Sequence, residues 1–148
     1  MFEIYVKRAQ VFFDRPAVMK AMDPARASAL AKAGAFIQRT AKRSMRRGGK
    51  ASPAGKPPKA RAGQLRDLLF FGYDRATESV VVGPEAFKRA IAPSLHEFGG
   101  TAIVRVGRGR TRRSVRARYE PRPYMRPALA VAIDKGKIPE AFKNSIRA

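Results

Sequence analysis

The chain has no cysteine and a single histidine, His96. Disulfides and thiolate zinc sites are therefore excluded, and a His-rich metal site has no ligands to draw on. The lack of cysteine fits a protein made in a reducing cytoplasm. Acid is scarce too, with 11 Asp and Glu in 148 residues. They are spread thinly, and no pair sits at a spacing that marks a metal site or a glycosidase dyad. No apolar run approaches the roughly 20 residues that span a bilayer, so no membrane contact is expected. The start, Met1 to Arg8, lacks a basic segment followed by an apolar stretch, which argues against a secretory signal.

What is abundant is positive charge. The 32 Lys and Arg give a net charge of +21. A chain so charged repels itself and calls for a polyanionic or acidic partner. The length is that of one domain, 1–148, and 45% hydrophobic residues suffice for an ordinary core.

Phe2, Ile4 and Val6 alternate as in a short strand, and a helical turn is expected around Pro16. Asp23-Pro24 reads as a helix start, with Asp capping and Pro at the first helical position. The helix is expected to run from about Pro24 to about Arg46, with Leu30, Gly34, Ile37, Ala41 and Met45 on one face. Gly48-Gly49 stops it. Residues 47–62 are Gly, Pro, Lys, Arg and small residues, the composition of a flexible loop. From Lys42 to Arg61 there are eight basic residues and no acid.

Gln64–Tyr73 and Glu78–Val82 read as two strands around a turn at Asp74–Thr77. Glu85–Phe98 reads as helix with a break at Pro93, stopped by Gly99-Gly100. Thr101–Val106 and Ser114–Tyr119 form a second hairpin over 101–119, with seven arginines and no acid from Arg105 to Arg118. Arginines facing each other across it would need a counter-charge. Pro121-Arg122-Pro123 is stiff and extended, and helices are expected over Met125–Lys135 and Ile138–Ile146. This is an α+β domain: a long N-terminal helix and a C-terminal helix on an antiparallel sheet made of hairpins.

Sites for chemistry are few. His96-Glu97 are adjacent, so on a helix they point about 100 degrees apart and form no dyad by themselves. Gly107-x-Gly109 is flanked by arginines with no helix after it, unlike a nucleotide loop. No Walker sequence and no nucleophile elbow is present. The expectation is a non-enzymatic protein without a cofactor. The residues fit for a polyanion are Lys50, Lys56, Lys59, Arg61, Arg105, Arg108, Arg110, Arg112, Arg113, Arg116 and Arg118. No aromatic interleaves the arginines of 105–118, so the stacking pattern of single-strand binders is missing.

Three segments then stand out in order. Gly55-Lys56-Pro57-Pro58 with Ala62-Gly63-Gln64-Leu65-Arg66, then Leu95-His96-Glu97-Phe98-Gly99, then Pro121-Arg122-Pro123-Tyr124-Met125-Arg126-Pro127-Ala128-Leu129. Together they resemble the minor tail, tail-completion and head–tail joining (neck) proteins of long-tailed bacteriophages, over residues 25–135. The family's usual Thr before the glycine is Ala62 here, and the stretch between the last two motifs is unusually rich in arginine.

The resemblance implies a virion protein at the head–tail junction, made in the host cytoplasm. It implies a homo-oligomeric ring around the DNA channel that meets neck, connector, tail-tube or terminator proteins, with packaged double-stranded DNA nearby. The motif residues Gly63, Leu65, Glu97, Phe98, Gly99, Arg122, Pro123, Tyr124, Arg126 and Pro127 become candidates for partner contacts. Physically, Gly63 allows a turn into the first hairpin and Glu97 is suited to pair with an arginine. Tyr124, framed by prolines, is either an aromatic anchor for a neighbour or a core residue. The competing reading is a small basic nucleic-acid-binding protein, nucleoid- or ribosome-associated, in which the basic segments hold phosphates.

Overall fold

The computed structural model describes residues 15–59, 64–85, 92–143 and 145. The strand expected over Phe2–Val6 lies outside them, as do Arg61 and Gly63. The fold class is α+β, as the patterning indicates. The element order is α1 (Arg15–Ser44), α2 (Gln64–Asp67), β1 (Leu69–Asp74), β2 (Ser79–Pro84), α3 (Ala92–Phe98), β3 (Gly100–Val106), β4 (Arg113–Tyr119), α4 (Met125–Asp134) and α5 (Lys137–Lys143).

α1 begins at Arg15, nine residues before the start expected at Pro24. Pro16 is the residue that stands in its first turn, where a missing N–H breaks no helical bond. Pro24 lies inside the helix and removes a single rung. The helix is carried past it by a buried face, Ala25, Ala29, Ala33, Ile37, Ala41 and Met45, with one residue per four. This is a row on which a second helix can lie. Small side chains there let α4 approach closely through its own buried Ala128 and Ala132. α5 packs against α1 as well. The C-terminal helices thus cover α1 rather than a sheet.

The core gathers Ile37, Ala41, Met45, Leu69, Tyr124, Ala128 and Ala132. Its largest fully buried side chains are Tyr124, Met45 and Leu69. Each of these contributes roughly 1.5–3 kcal/mol by burial. Gln64–Asp67 is a helical turn and not the start of a strand, a departure from the alternation reading. Its residues Gln, Leu and Arg are good helix formers, and Leu65 packs onto the core from the turn.

β1 and β2 pair antiparallel from Leu69↔Pro84 to Asp74↔Ser79. At the turn, Asp74 Oδ1 accepts the Ala76 N–H at 2.9 Å and Oδ2 accepts the Thr77 hydroxyl at 2.7 Å. These bonds hold the Asp74 carboxyl below its usual range, the Thr77 hydroxyl being the larger cause. The hairpin lies on α1 so closely that a Cβ at Gly34 would stand 2.6 Å from Val80 Cγ2. Gln38 Nε2 donates to the Leu69 carbonyl at 2.7 Å, and Arg26 contacts Glu78.

The two hairpins do not merge. β3–β4 is a second two-stranded sheet, and among the described residues it packs on no other helix or strand to a comparable extent. A single layered sheet was the expectation. The actual arrangement is one hairpin on the helices and one projecting arm. Pro93 stands within α3, second among its described residues. Residues 86–91 of the expected Glu85–Phe98 helix lie outside the described residues.

Candidate functional site

α4 begins without a cap of its own: its N-cap residue Tyr124 makes no side-chain capping bond. The missing partner comes from α3. Glu97 Oε2 accepts the N–H groups of Tyr124 at 2.9 Å and Met125 at 3.0 Å, and Oε1 accepts that of Arg126 at 2.9 Å. A helix N-terminus offers unpaired N–H groups and a partial positive charge, so a carboxylate there satisfies both. Glu97 is buried. The expected pairing of Glu97 with an arginine is therefore corrected: its partners are backbone donors, which keep the charge compensated inside the protein.

The next residues lock the same joint. Gly99 has φ +71, and a Cβ there would meet the Tyr119 carbonyl oxygen at 2.9 Å and Pro121 Cδ at 3.0 Å. The glycine ends α3 and lets the chain enter β3 while β4 returns beside it. Phe98 is 64% exposed, with the Arg126 guanidinium 5.1 Å from its ring centre. The Arg122 N–H donates to the His96 carbonyl at 2.6 Å.

The basic loop is tied into this joint. The Gly55 N–H donates to the Pro121 carbonyl at 2.8 Å, and Arg122 Nε donates to the Ser52 carbonyl at 2.7 Å. Ser52 and Pro58 are buried. The free loop expected over 47–62 is thus anchored at its centre, where Ser52 and Gly55 bond to the stiff 121–123 segment. The segments that stood out in the sequence meet here, around a cleft of about 540 Å³ lined by Gly55, Glu97, Phe98, Pro121, Pro123, Arg126, Pro127 and Ala130.

Tyr124 is 1% exposed and belongs to this chain's own core, so its ring is not an anchor for a neighbour. Burial, and then the negative charge of Glu97, push its hydroxyl up to about 12. His96 is half-buried. Burial first, then the positive charge of Arg122, holds its imidazole below the usual 6.5.

The arm carries the other candidate residues. Its register pairs Arg105 with Ser114, Arg116 with Ile103, Arg118 with Thr101 and Arg113 with Val106. No arginine faces another directly, so the expected like-charge conflict across the hairpin does not arise. Residues paired in this way share a face. Arg105, Arg116 and Arg118 lie on one. Ala102, Val104, Val106, Val115, Ala117 and Tyr119 lie on the other together with Arg113, and that face is buried at Ala102 and open toward the tip. The tip is a 3-10 turn, Gly109–Thr111, closed by the Thr111 N–H and hydroxyl on the Arg108 carbonyl at 3.1 and 2.7 Å. All seven arm arginines are exposed, as are Lys50, Lys56 and Lys59.

Leu65 stands apart from the joint, packed against the core. Two participants were missed by sequence reasoning. Ser52 had no signal, since it acts through its carbonyl. Ala130 had only its place within α4. Among the described residues no group of His, Asp and Glu could hold a metal, and no helix is long and apolar enough to cross a membrane. No family model, curated protein or solved structure matches the chain.

Proposed function

We propose that this protein is a structural component of a phage head–tail junction, acting as one copy in a ring of neck or tail-completion type. The reading rests on one observation above the others. The separated segments that carry the resemblance close on one another at the α3–α4 joint, through Gly55, Glu97, Pro121 and Arg122. Under this reading they are the part of the fold that holds the arm and the basic loop at a set angle to the helical body. Partner contacts then fall to exposed residues of that joint, Phe98, Arg126 and Pro127, and to the arm.

Electron microscopy and mass spectrometry of particles made by the encoding genome test it. The chain is expected between capsid and tail, and its deletion should leave unjoined heads and tails. Intact infectious particles without it would overturn the reading. The second reading, a nucleoid- or ribosome-associated protein, is favoured by the ten exposed basic residues of the loop and arm named above. It requires the chain to sediment with nucleoids or ribosomes in cells that make no particles.

A further inference from the structure

Two runs of positive charge, far apart in the sequence, are tied to one joint. The loop is fastened to the foot of the arm by Gly55 on Pro121 and by Arg122 on Ser52. The arm rises from the same joint through Gly99 and Tyr119. Neither run contains an acid. The ion pair nearest to the arm face, Arg118–Glu120, is 3.9 Å long and largely exposed. It therefore leaves the charge of the arm almost uncompensated.

We infer that the arm and the loop form one surface for the sugar–phosphate backbone of double-stranded nucleic acid, read by charge and not by sequence. Strand geometry spaces Arg116 and Arg118 by about 6.7 Å on one face, with Arg105 on the paired strand. The ribbon of seven-residue strands is about 23 Å long. A two-stranded ribbon is also of a size that a major groove admits. The 3-10 turn holds Arg108, Arg110 and Arg112 at the tip on an ordered backbone.

The target is a duplex rather than an acidic protein because of charge density. A duplex carries one negative charge per roughly 1.7 Å of its axis, without interruption. A folded protein surface of ordinary composition intersperses both signs of charge and offers no comparably long unbroken row. The target is a duplex rather than a single strand because the basic face offers no aromatic platform. Phe98 has Arg126 over its ring, and Tyr119 lies on the opposite face of the arm. The inference stands whether or not the protein belongs to a virion, since it concerns the pure chain and a duplex.

The test is fluorescence anisotropy of the full chain with a labelled mixed-sequence DNA duplex over a series of salt concentrations. The triple variant Arg105→Gln, Arg116→Gln, Arg118→Gln is expected to flatten the slope of log affinity against log salt by roughly two to three units. The loop variant Lys50→Gln, Lys56→Gln, Lys59→Gln should flatten it further when combined. A control on the helical body, Lys32→Gln, Arg39→Gln, Lys135→Gln, removes the same charge from exposed positions outside both runs and should leave the slope near wild type. Circular dichroism checks that each variant is folded, and Arg108→Ser, Arg110→Ser, Arg112→Ser provides a second arm variant. A slope unchanged in both arm variants overturns the inference, as does a control that loses as much as the arm. Duplex binding that ignores the arm while assembly with an acidic protein depends on it also overturns it. Particle localisation plays no part in these outcomes, so failure here is separable from failure of the virion reading.

Discussion

The Glu97 carboxylate accepts the backbone N–H of Tyr124 at 2.9 Å across 27 residues of chain. One side chain of α3 thus supplies the cap that α4 lacks, and the stiff segment between β4 and α4 is drawn onto the end of α3. The arm lies between these two helices in the chain, so this bond closes the base from which the arm projects. Stability and arm placement are therefore coupled through one residue.

Replacing Glu97 by Ala leaves several N–H groups of the α4 terminus without acceptors. The expected loss is about 2–4 kcal/mol. For a chain of this size each kcal/mol lowers the melting temperature by roughly 2–4 degrees. Glu97→Gln retains one acceptor oxygen and should lose about half as much. Thermal denaturation of both variants checks this, and an unaltered melting temperature for the Ala variant would contradict the cap.

Gly99→Ala is expected to destabilise by about 2 kcal/mol or more, since the left-handed backbone and the Tyr119 carbonyl both oppose a Cβ. Gly72→Ala is the control. Its Cβ meets nothing within 4 Å, and its effect should stay within about 0.5 kcal/mol. Urea unfolding of the pair distinguishes a positional requirement from a general intolerance of glycine replacement.

His96 gives a pH signature that can be read without ambiguity, because it is the only histidine. Burial and the Arg122 charge depress its folded value below 6.5. Between that value and 6.5 the unfolded chain binds more protons than the folded one, so stability rises with pH across the window. The contribution is complete above 6.5 and is lost as pH falls through the folded value. The imidazole resonance followed by NMR should titrate below 6.5. A midpoint at or above 6.5 would remove the basis for this pH dependence.

Much of this was legible in the sequence, and the failures have physical causes. The face of α1 through Ile37, Ala41 and Met45 follows from a period that burial imposes. The turn at Asp74–Thr77 and both hairpins follow from local chemistry. The start of α1 was misplaced because Asp-Pro and Arg-Pro are both acceptable helix openings. The turn at Gln64–Asp67 was misread because Leu65 and Leu69 fit either period over so short a stretch. Glu97 was recognised as special, yet its partners were invisible. They are backbone groups brought close by the fold, and sequence carries no mark of which N–H groups remain unpaired. The same holds for the anchoring of the basic loop, which depends on carbonyls at Ser52 and Pro121.

That anchoring makes a local prediction. The Gly55 and Arg122 amides, which donate to Pro121 and His96, should exchange hydrogen slowly in the free protein. The amides of Lys50 and Lys59, on exposed residues of the same loop, should exchange faster. Uniformly fast exchange through residues 47–59 would mean that the loop is free until a partner arrives.

The final prediction concerns self-association. A net charge of +21 on 148 residues opposes the approach of identical copies at every orientation. At low salt the repulsion reaches across several tens of ångströms, and near 0.1 M it is confined to about 10 Å. Light scattering on the pure chain should therefore find a small species at low salt. Any tendency to form larger species should grow as salt is added, since burial of the apolar arm face around Val106 and Val115 is then less opposed. Duplex DNA or an acidic partner should produce the same growth at low salt by neutralising the arm. A stable closed ring at low salt with no partner present would show that shape and apolar contacts alone outweigh the charge, and the requirement for a counter-charge would fall.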